Sequence, residues 1–195
     1  MARLREFDTQ AAVEASMNAF RRKGYEGTSI QDLVDATGLG RGSLYAAFGS
    51  KDGLYLAAMD RYREKYSTPL IDILRGGAPA LELLRAVLIG TVDEVVRDGS
   101  RHACLIVGAV TERIAHDPQI AAHVRTTTSS LEDALYEVIA EAQADGQISD
   151  ARGARELARY LLTFMQGIRV MGAITPDRQA LMETVETVLT ALEPA

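Results

Sequence analysis

The residues best suited to binding another molecule lie close together in the first quarter of the chain. They share the outward face of one short predicted helix and are Arg41, Gly42, Ser43, Tyr45 and Ala46. A helix whose first turn is small or polar is one that the major groove of DNA can admit. The chemistry that these residue types indicate is therefore hydrogen bonding to DNA.

A helix-turn-helix would position that face. Thr28 or Ser29 can cap a first helix over residues 30–37, and Gly38 falls where the chain must turn sharply with a positive φ before a second helix over residues 41–48. The apolar residues that would form the small core between the two helices are Ile30, Leu33, Val34, Leu39, Leu44 and Phe48.

The remaining pattern is helical throughout, with no alternating stretch that would indicate a strand. We expect a first helix capped by Asp8, further helices opened by Asp150 and Pro176, and about nine helices in all. Their predicted ranges are 9–23, 30–37, 41–48, 51–66, 79–97, 104–115, 118–144, 150–172 and 176–192. The sequence thus predicts an all-α protein with a three-helix N-terminal domain and a larger helical C-terminal domain.

Charge is unevenly distributed along the 195 residues. The formal net charge is −6, yet the first 51 residues carry seven basic and six acidic side chains, so the excess of negative charge lies in the rest of the chain. Such an arrangement lets the first segment approach phosphate while the acidic remainder is held away. No apolar run is long enough for a membrane span, and no signal-peptide core begins the chain. We expect a cytoplasmic protein that does not enter a membrane.

Catalytic and cofactor sites are not indicated by the spacing of reactive residues. No Ser-His-Asp set or nucleophile elbow is present, and three scattered histidines without a cysteine or carboxylate cluster do not make a metal site. Gly38, Gly40 and Gly42 follow a predicted helix rather than a strand, which excludes a dinucleotide-binding loop. We expect no enzyme activity, no metal and no cofactor.

Cys104 is the one cysteine of the chain and leaves two interpretations open. It begins an apolar run, which favours a buried and inert thiol. The alternative is a thiol sensor or, with His102, a soft-metal site, because Arg101 and His102 could favour the thiolate.

The stretch from residue 9 to about residue 60 resembles the N-terminal domain of the TetR/AcrR family of transcriptional repressors. The resemblance rests on residue types and spacings together: Phe20, Gly24-Tyr25, Thr28-Ser29, Gly38-Leu39, Ser43-Leu44-Tyr45, Phe48, Lys51 and Leu54. The rest of the chain is similar to the family only in its length and its helical pattern. The resemblance implies a DNA-binding domain over residues 1–50 and an effector-binding and dimerisation domain over residues 51–195.

The resemblance also implies roles for single residues. Tyr45, Lys51, Thr28 and Ser29 match positions that contact the phosphate backbone. The positions nearest the base edges are matched by Arg41, Gly42, Ser43 and Ala46, and Arg41 is the best candidate for reading guanine. Ala46 and Ala47 replace larger residues common in the family. An N-terminal arm with Arg3 and Arg5 would reach phosphate or the minor groove.

For the C-terminal domain the resemblance implies a small effector and a homodimer that binds double-stranded operator DNA. An apolar or amphipathic effector would contact residues on several helices, namely Tyr62, Cys104, Tyr136, Phe164, Met165 and Ile168. The dimer would form through the apolar faces of the last two helices, carrying Leu157, Leu161, Phe164, Ile168, Leu181, Val185, Val188 and Leu192. We expect a repressor released by its effector; the alternatives are an activator or a redox-responsive regulator that uses Cys104 without a ligand.

Overall fold

The computed structural model describes residues 6–98 and 104–194, and every regular element within them is helical. The all-α prediction is confirmed. The elements are α1 (Glu6–Lys23), α2 (Ile30–Thr37), α3 (Arg41–Phe48), α4 (Lys51–Tyr62), a π-helical turn (Arg63–Ser67), α5 (Thr68–Leu74), α6 (Ala80–Asp98), α7 (Leu105–Glu112), α8 (Pro118–Ala144), α9 (Ala154–Ile174) and α10 (Arg178–Thr190).

The first residues of α1 and α9 differ from those predicted. In the described residues α1 begins at Glu6, so Asp8 lies within the helix and does not cap it. α9 begins at Ala154, after Gly153 in extended conformation, rather than at Asp150.

The amino end of α10 is capped by Asp177, which was not predicted as a capping residue. The Asp177 carboxylate accepts a hydrogen bond from the Ala180 N–H at 3.2 Å, so the helix starts at Arg178, two residues beyond Pro176. An aspartate cap satisfies one of the unpaired N–H groups of a first turn, which proline alone does not do.

The helix predicted to stop near residue 66 does not stop there. The chain passes from α4 through the π-helical turn Arg63–Ser67 directly into α5, which carries Pro69 in its first turn. Proline is tolerated in a first turn because its missing N–H would have no intrahelical partner. The proline therefore begins a helix rather than ending one.

The described chain packs into two compact units, and the division into domains at residue 50 stays a prediction. The N-terminal unit comprises the described residues up to Lys65 and those from Cys104 to Val124; the C-terminal unit comprises the described residues from Tyr66 to 98 and from Arg125 onward. The N-terminal unit extends beyond residue 50 because α4 packs along α1, and α7 contacts both helices.

An aromatic cluster lies at the centre of the N-terminal unit. The Phe20 and Tyr25 rings each contact the Tyr55 ring edge to face, with centroids 4.9 Å apart in both pairs. Leu33 and Leu44 are buried in the same unit and hold α2 and α3 against it. The two helices are too short to be stable alone, so this packing fixes them in place.

α6, α9 and α10 pack closely in the C-terminal unit. Gly172 of α9 lies so close to α6 that an added Cβ would be 2.2 Å from Val95 Cγ1. Arg169 and Glu94 form a buried ion pair between the same two helices, with 3.3 Å between Arg169 Nη2 and Glu94 Oε2.

The predicted dimer faces of the last two helices need correction. Seven of the eight residues assigned to them are buried within the chain itself, namely Leu157, Leu161, Ile168, Leu181, Val185, Val188 and Leu192. They belong to the core of the C-terminal unit. Only Phe164 is partly open to solvent.

Candidate nucleic-acid interface

α2 is held by a capping box at its amino end. The Ser29 hydroxyl accepts a hydrogen bond from the Asp32 N–H at 3.1 Å, and the Asp32 carboxylate accepts one from the Ser29 N–H at 2.8 Å. Hydrogen bonds from Lys23 and Ser29 hold the pKa of Asp32 well below its usual range. The carboxylate therefore stays ionised, as the cap requires.

The turn between α2 and α3 follows the predicted geometry. Gly38 has φ 67° and donates its N–H to the Val34 carbonyl at 2.9 Å, which closes α2. Gly40 is extended and precedes α3, whose one buried residue among those described is Leu44. Phe48 is half-buried, and the other residues of α3 are exposed.

The outward face of α3 carries the side chains that the sequence singled out. Arg41, Gly42, Ser43, Tyr45 and Ala46 are all exposed. The Arg41 guanidinium lies 6.0 Å from the centroid of the Tyr45 ring, one helical turn away. Arg41 therefore lies at the amino end of an exposed helix.

Thr28 and Ser29 occupy different environments although they are neighbours. Ser29 is exposed at the amino end of α2. Thr28 is fully buried, and its hydroxyl donates a hydrogen bond to the Gly24 carbonyl at 2.6 Å. We therefore keep Ser29 as a candidate phosphate contact and regard Thr28 as a residue that shapes the turn after α1.

Lys51 lies in the first turn of α4, which Ser50 caps by accepting the Gly53 N–H at 3.0 Å. Its ammonium lies 4.1 Å from the centroid of the Tyr25 ring. A cation at the start of a helix is suited to a phosphate because the helix dipole also favours an anion there.

Residues at the end of α7 contact this region and were not predicted from the sequence. The Arg113 guanidinium lies 4.2 Å from the centroid of the Tyr25 ring and 3.0 Å from Asp52 Oδ1. Glu112 Oε2 accepts the Glu26 N–H at 3.0 Å. These partners are 61 and 86 positions apart in the chain, so local spacing holds no signal for them.

The predicted effector residues lie in separate surroundings. In the N-terminal unit the Tyr62 hydroxyl donates a hydrogen bond to Cys104 Sγ at 3.3 Å. In the C-terminal unit Met165 is fully buried in the core, and the Tyr136 ring lies 4.0 Å from the Arg155 guanidinium. Two further predicted residues, Phe164 and Ile168, line a groove on α9 and α10.

Concave regions lie in both units, among the described residues. One is a cavity of about 260 Å³ in the N-terminal unit, bordered by Phe20, Tyr25, Tyr55, Cys104 and Gly108. Two more lie in the C-terminal unit. A cleft of about 520 Å³ runs beside α8, and the groove on α9 and α10 measures about 430 Å³.

Two earlier expectations fall on residues that lie outside the described part of the chain. They are the basic arm with Arg3 and Arg5 and the part of the Cys104 alternative that depends on Arg101 and His102.

The described ranges 6–98 and 104–194 offer neither a metal-binding cluster nor a membrane-spanning helix. They contain no group of three or more histidine, cysteine or carboxylate side chains that could hold a metal ion. None of their helices has the length and apolar character needed to span a bilayer.

Comparison with known proteins identifies the family. Residues 12–58 match the model of bacterial regulatory proteins of the tetR family, and residues 80–188 match the model of tetracyclin repressor-like C-terminal domains. The chain is 32% identical to the uncharacterised HTH-type transcriptional regulator YezE of Bacillus subtilis (strain 168), with 99% of this chain and 100% of that one covered. It is 28% identical to the HTH-type transcriptional repressor ComR of Escherichia coli (strain K12), with 94% and 88% covered.

A solved structure is similar over almost the whole chain. It is a cysteine mutant of the TetR family transcriptional regulator CifR in complex with 26-bp double-strand operator DNA. The TM-score is 0.85 at 29% identity, and 98% of this chain and 99% of that chain are covered. The helix-turn-helix geometry, the two family models and these relatives agree. The chain belongs to the TetR family of DNA-binding transcriptional regulators.

Proposed function

We propose that this regulator is a repressor that binds a two-fold operator through α3 and leaves it when a small molecule binds. The observation that carries the proposal is the exposed face of α3, with Arg41 at its amino end and hydrogen-bonding side chains beside it. The relative ComR is a transcriptional repressor, which supports repression. The similar structure of CifR is a complex with operator DNA, which supports operator binding.

Sequence reading and backbone contact fall to different residues in this proposal. The Arg41 guanidinium pairs with the O6 and N7 atoms of guanine, and Ser43 contacts a neighbouring base edge. Tyr45 and Lys51 hold phosphates by a hydroxyl and a charge, and Ser29 does so at the amino end of α2. Ala46 lies against the groove without adding a hydrogen bond.

The protein acts as a homodimer, because one small reading head has low affinity and a second head raises it by avidity. The outer stripe of α9 offers a seam for a second copy: Tyr160, Met171 and Ile174 are 48%, 56% and 68% exposed. Phe164 and Gly167 lie on the same stripe at helical spacing. An added Cβ at Gly167 would meet nothing within 4 Å, so a partner helix can approach closely there.

The effector occupies the cavity of about 260 Å³ in the N-terminal unit. Aromatic rings and Cys104 border it together with the charged residues Arg21, Arg22 and Glu112, a combination that suits a small amphipathic molecule. The larger cleft beside α8 is lined by the carboxylates of Glu137, Glu141 and Asp145, which an apolar ligand would have to desolvate. The groove on α9 and α10 belongs to the dimer seam.

Release follows if the effector binds better to a conformation with low operator affinity. Linkage then requires the operator to weaken effector binding by the same factor as the effector weakens operator binding. α7 borders the cavity and ends in the residues that contact the DNA-binding region, so it is the element that a ligand displaces.

A thermal-shift screen followed by DNA binding tests this proposal. A compound that raises the melting temperature should weaken binding to DNA taken from upstream of the gene. Gly108→Leu, which fills the cavity from α7, should abolish both effects and leave DNA binding intact. Val110→Leu, on the exposed side of α7, should respond like the wild type. A compound that acts equally on Gly108→Leu would place the effector elsewhere.

Cys104 supports a second candidate, a regulator that responds to thiol modification. Its sulfur borders the same cavity and accepts the Tyr62 hydroxyl proton in a hydrogen bond. Alkylation by iodoacetamide, which forms an S–C bond and releases iodide, should then lower DNA affinity in the wild type and not in Cys104→Ser. Equal DNA affinity before and after alkylation would reject this candidate.

A further inference from the structure

A cluster of charged and aromatic side chains joins the end of α7 to the start of α4. We call it the Arg113 cluster; its members are Arg113, Asp117, Tyr25, Lys51 and Asp52. Arg113 Nη2 lies 3.0 Å from Asp52 Oδ1 and 2.7 Å from Asp117 Oδ2. All five residues belong to the N-terminal unit, so the cluster is an internal feature of it.

Asp52 is the member that creates an electrostatic problem for DNA binding. It directly follows Lys51, is half exposed, and lies in the first turn of the helix that presents Lys51. A carboxylate there would repel a DNA phosphate and would also compete with it for the Lys51 ammonium.

The structure places two donors on that carboxylate. Asp52 Oδ1 accepts the Tyr25 hydroxyl at 2.5 Å and the Arg113 guanidinium at 3.0 Å. Burial, followed by this hydrogen bond, raises the pKa of Tyr25 well above its usual range, so the phenol stays protonated as a donor. The Lys51 ammonium lies over the Tyr25 ring, 4.1 Å from its centroid.

Arg113 is itself held in place from the α8 side. Asp117 accepts N–H bonds from Ile120 at 3.1 Å and Gln119 at 3.0 Å, which caps α8. These bonds, together with the one from Arg113, lower the pKa of Asp117. An ionised Asp117 fixes the guanidinium within reach of Asp52.

We propose that Arg113 is a positioning residue for DNA binding: it neutralises Asp52 and so leaves Lys51 available to a phosphate. The proposal rests on the proposed role of Lys51 as a phosphate contact. It adds a residue outside the helix-turn-helix, at the end of the helix that borders the effector cavity. Displacing the end of α7 would then weaken DNA binding by exposing the Asp52 charge, without any change in α3.

The test combines substitution with rescue. Arg113→Gln should weaken binding to every duplex alike by about three- to tenfold at low salt, since an unpaired Asp52 remains beside the phosphates. The magnitude of the slope of log K against log salt should decrease by about one per protomer, toward the value for Lys51→Ala. Arg113→Gln with Asp52→Asn should regain most of the affinity, a recovery that loss of a purely structural contact would not give.

Two controls separate this effect from general damage. Arg178→Gln removes an exposed arginine that also pairs with an aspartate, 2.9 Å from Asp93, in the C-terminal unit and should bind DNA like the wild type. Arg113→Lys retains the charge and should retain most of the affinity even if the melting temperature falls.

Each outcome bears on a different claim. If the wild type and Arg178→Gln bind DNA and Arg113→Gln binds equally well, the positioning role is wrong. Failure of Asp52→Asn to restore binding would also overturn it. If the wild type binds no duplex at all, the proposed function fails, and the role of Arg113 fails with it.

Discussion

Few side chains beside Arg41 on the exposed face of α3 can hydrogen-bond to a base. The neighbouring Gly40 and Gly42 have no side chains, and an added Cβ at either would meet nothing within 4 Å. Ala46 and Ala47 are exposed and cannot hydrogen-bond through their side chains. We therefore expect an unusually large share of the sequence preference to come from one guanidinium.

Arg41→Ala should accordingly reduce specificity more than general affinity. A lost bidentate pair with guanine costs about 1–3 kcal/mol per half-site on the operator and less on unrelated DNA. Fluorescence anisotropy with operator and scrambled duplexes at one salt concentration measures both values. Equal losses on the two duplexes would make Arg41 a phosphate contact, with Ser43 the next candidate for base reading.

Tyr45→Phe should behave in the opposite way. The hydroxyl is exposed and its proposed partner is a phosphate, so its removal should weaken operator and scrambled DNA alike by about 1–2 kcal/mol. The same anisotropy titrations give the result. A shift in sequence preference at unchanged overall affinity would count against the assignment.

At this scale the sequence predicts what local spacing controls. Leu44 inward and Arg41 outward follow from helical periodicity, and the structure agrees. Arg113 beside Asp52 does not, because that contact depends on how α7 packs against α4. Thr28 shows the same limit, since its burial depends on the turn after α1.

Glycines within the helices lie in two different surroundings, a close contact between helices and open space. Gly172 allows α9 to lie against Val95 of α6, whereas Gly108 of α7 has open space where a Cβ would be. The sequence alone does not distinguish them, because both lie within apolar helical segments. The bounds of most helices were more predictable than this packing. The exceptions include α5, which carries Pro69 in its first turn, and the amino end of α10 that Asp177 caps.

Gly172→Ala and Gly108→Ala should therefore change stability in opposite directions. The methyl group at position 172 must displace Val95, which costs about 1–3 kcal/mol. At position 108 alanine meets no obstacle and is the better helix former, by about 0.5–1 kcal/mol. Urea unfolding of both variants tests this, and a Gly172→Ala protein as stable as the wild type would contradict the α6–α9 packing.

For the whole molecule, the choice of dimer surface could not be made from periodicity. α9 has one apolar stripe that packs into the core, through Leu161 and Met165, and another that faces solvent, through Met171 and Ile174. Both repeat at helical spacing, so only the three-dimensional packing shows which one is left for a partner. The charge asymmetry, in contrast, follows directly from counting the charged residues along the sequence.

Ile174→Glu should convert the protein to a monomer. A charge within an apolar seam has no partner and must be desolvated when the subunits associate. Sedimentation velocity at micromolar concentration should show the monomer, and operator affinity should fall because only one head binds. Ser129→Glu adds the same charge at an exposed position of α8, away from this stripe, and should remain dimeric; a dimeric Ile174→Glu would place the interface elsewhere.

The central claim, a two-headed regulator that reads DNA through α3, is tested most directly by selecting bound sequences from a library of random duplexes. We predict enrichment of an inverted repeat whose half-sites each contain a guanine that Arg41→Ala no longer selects, because a two-fold protein requires a two-fold site. Enrichment of a site without two-fold symmetry, or of no sequence at all, would contradict the account.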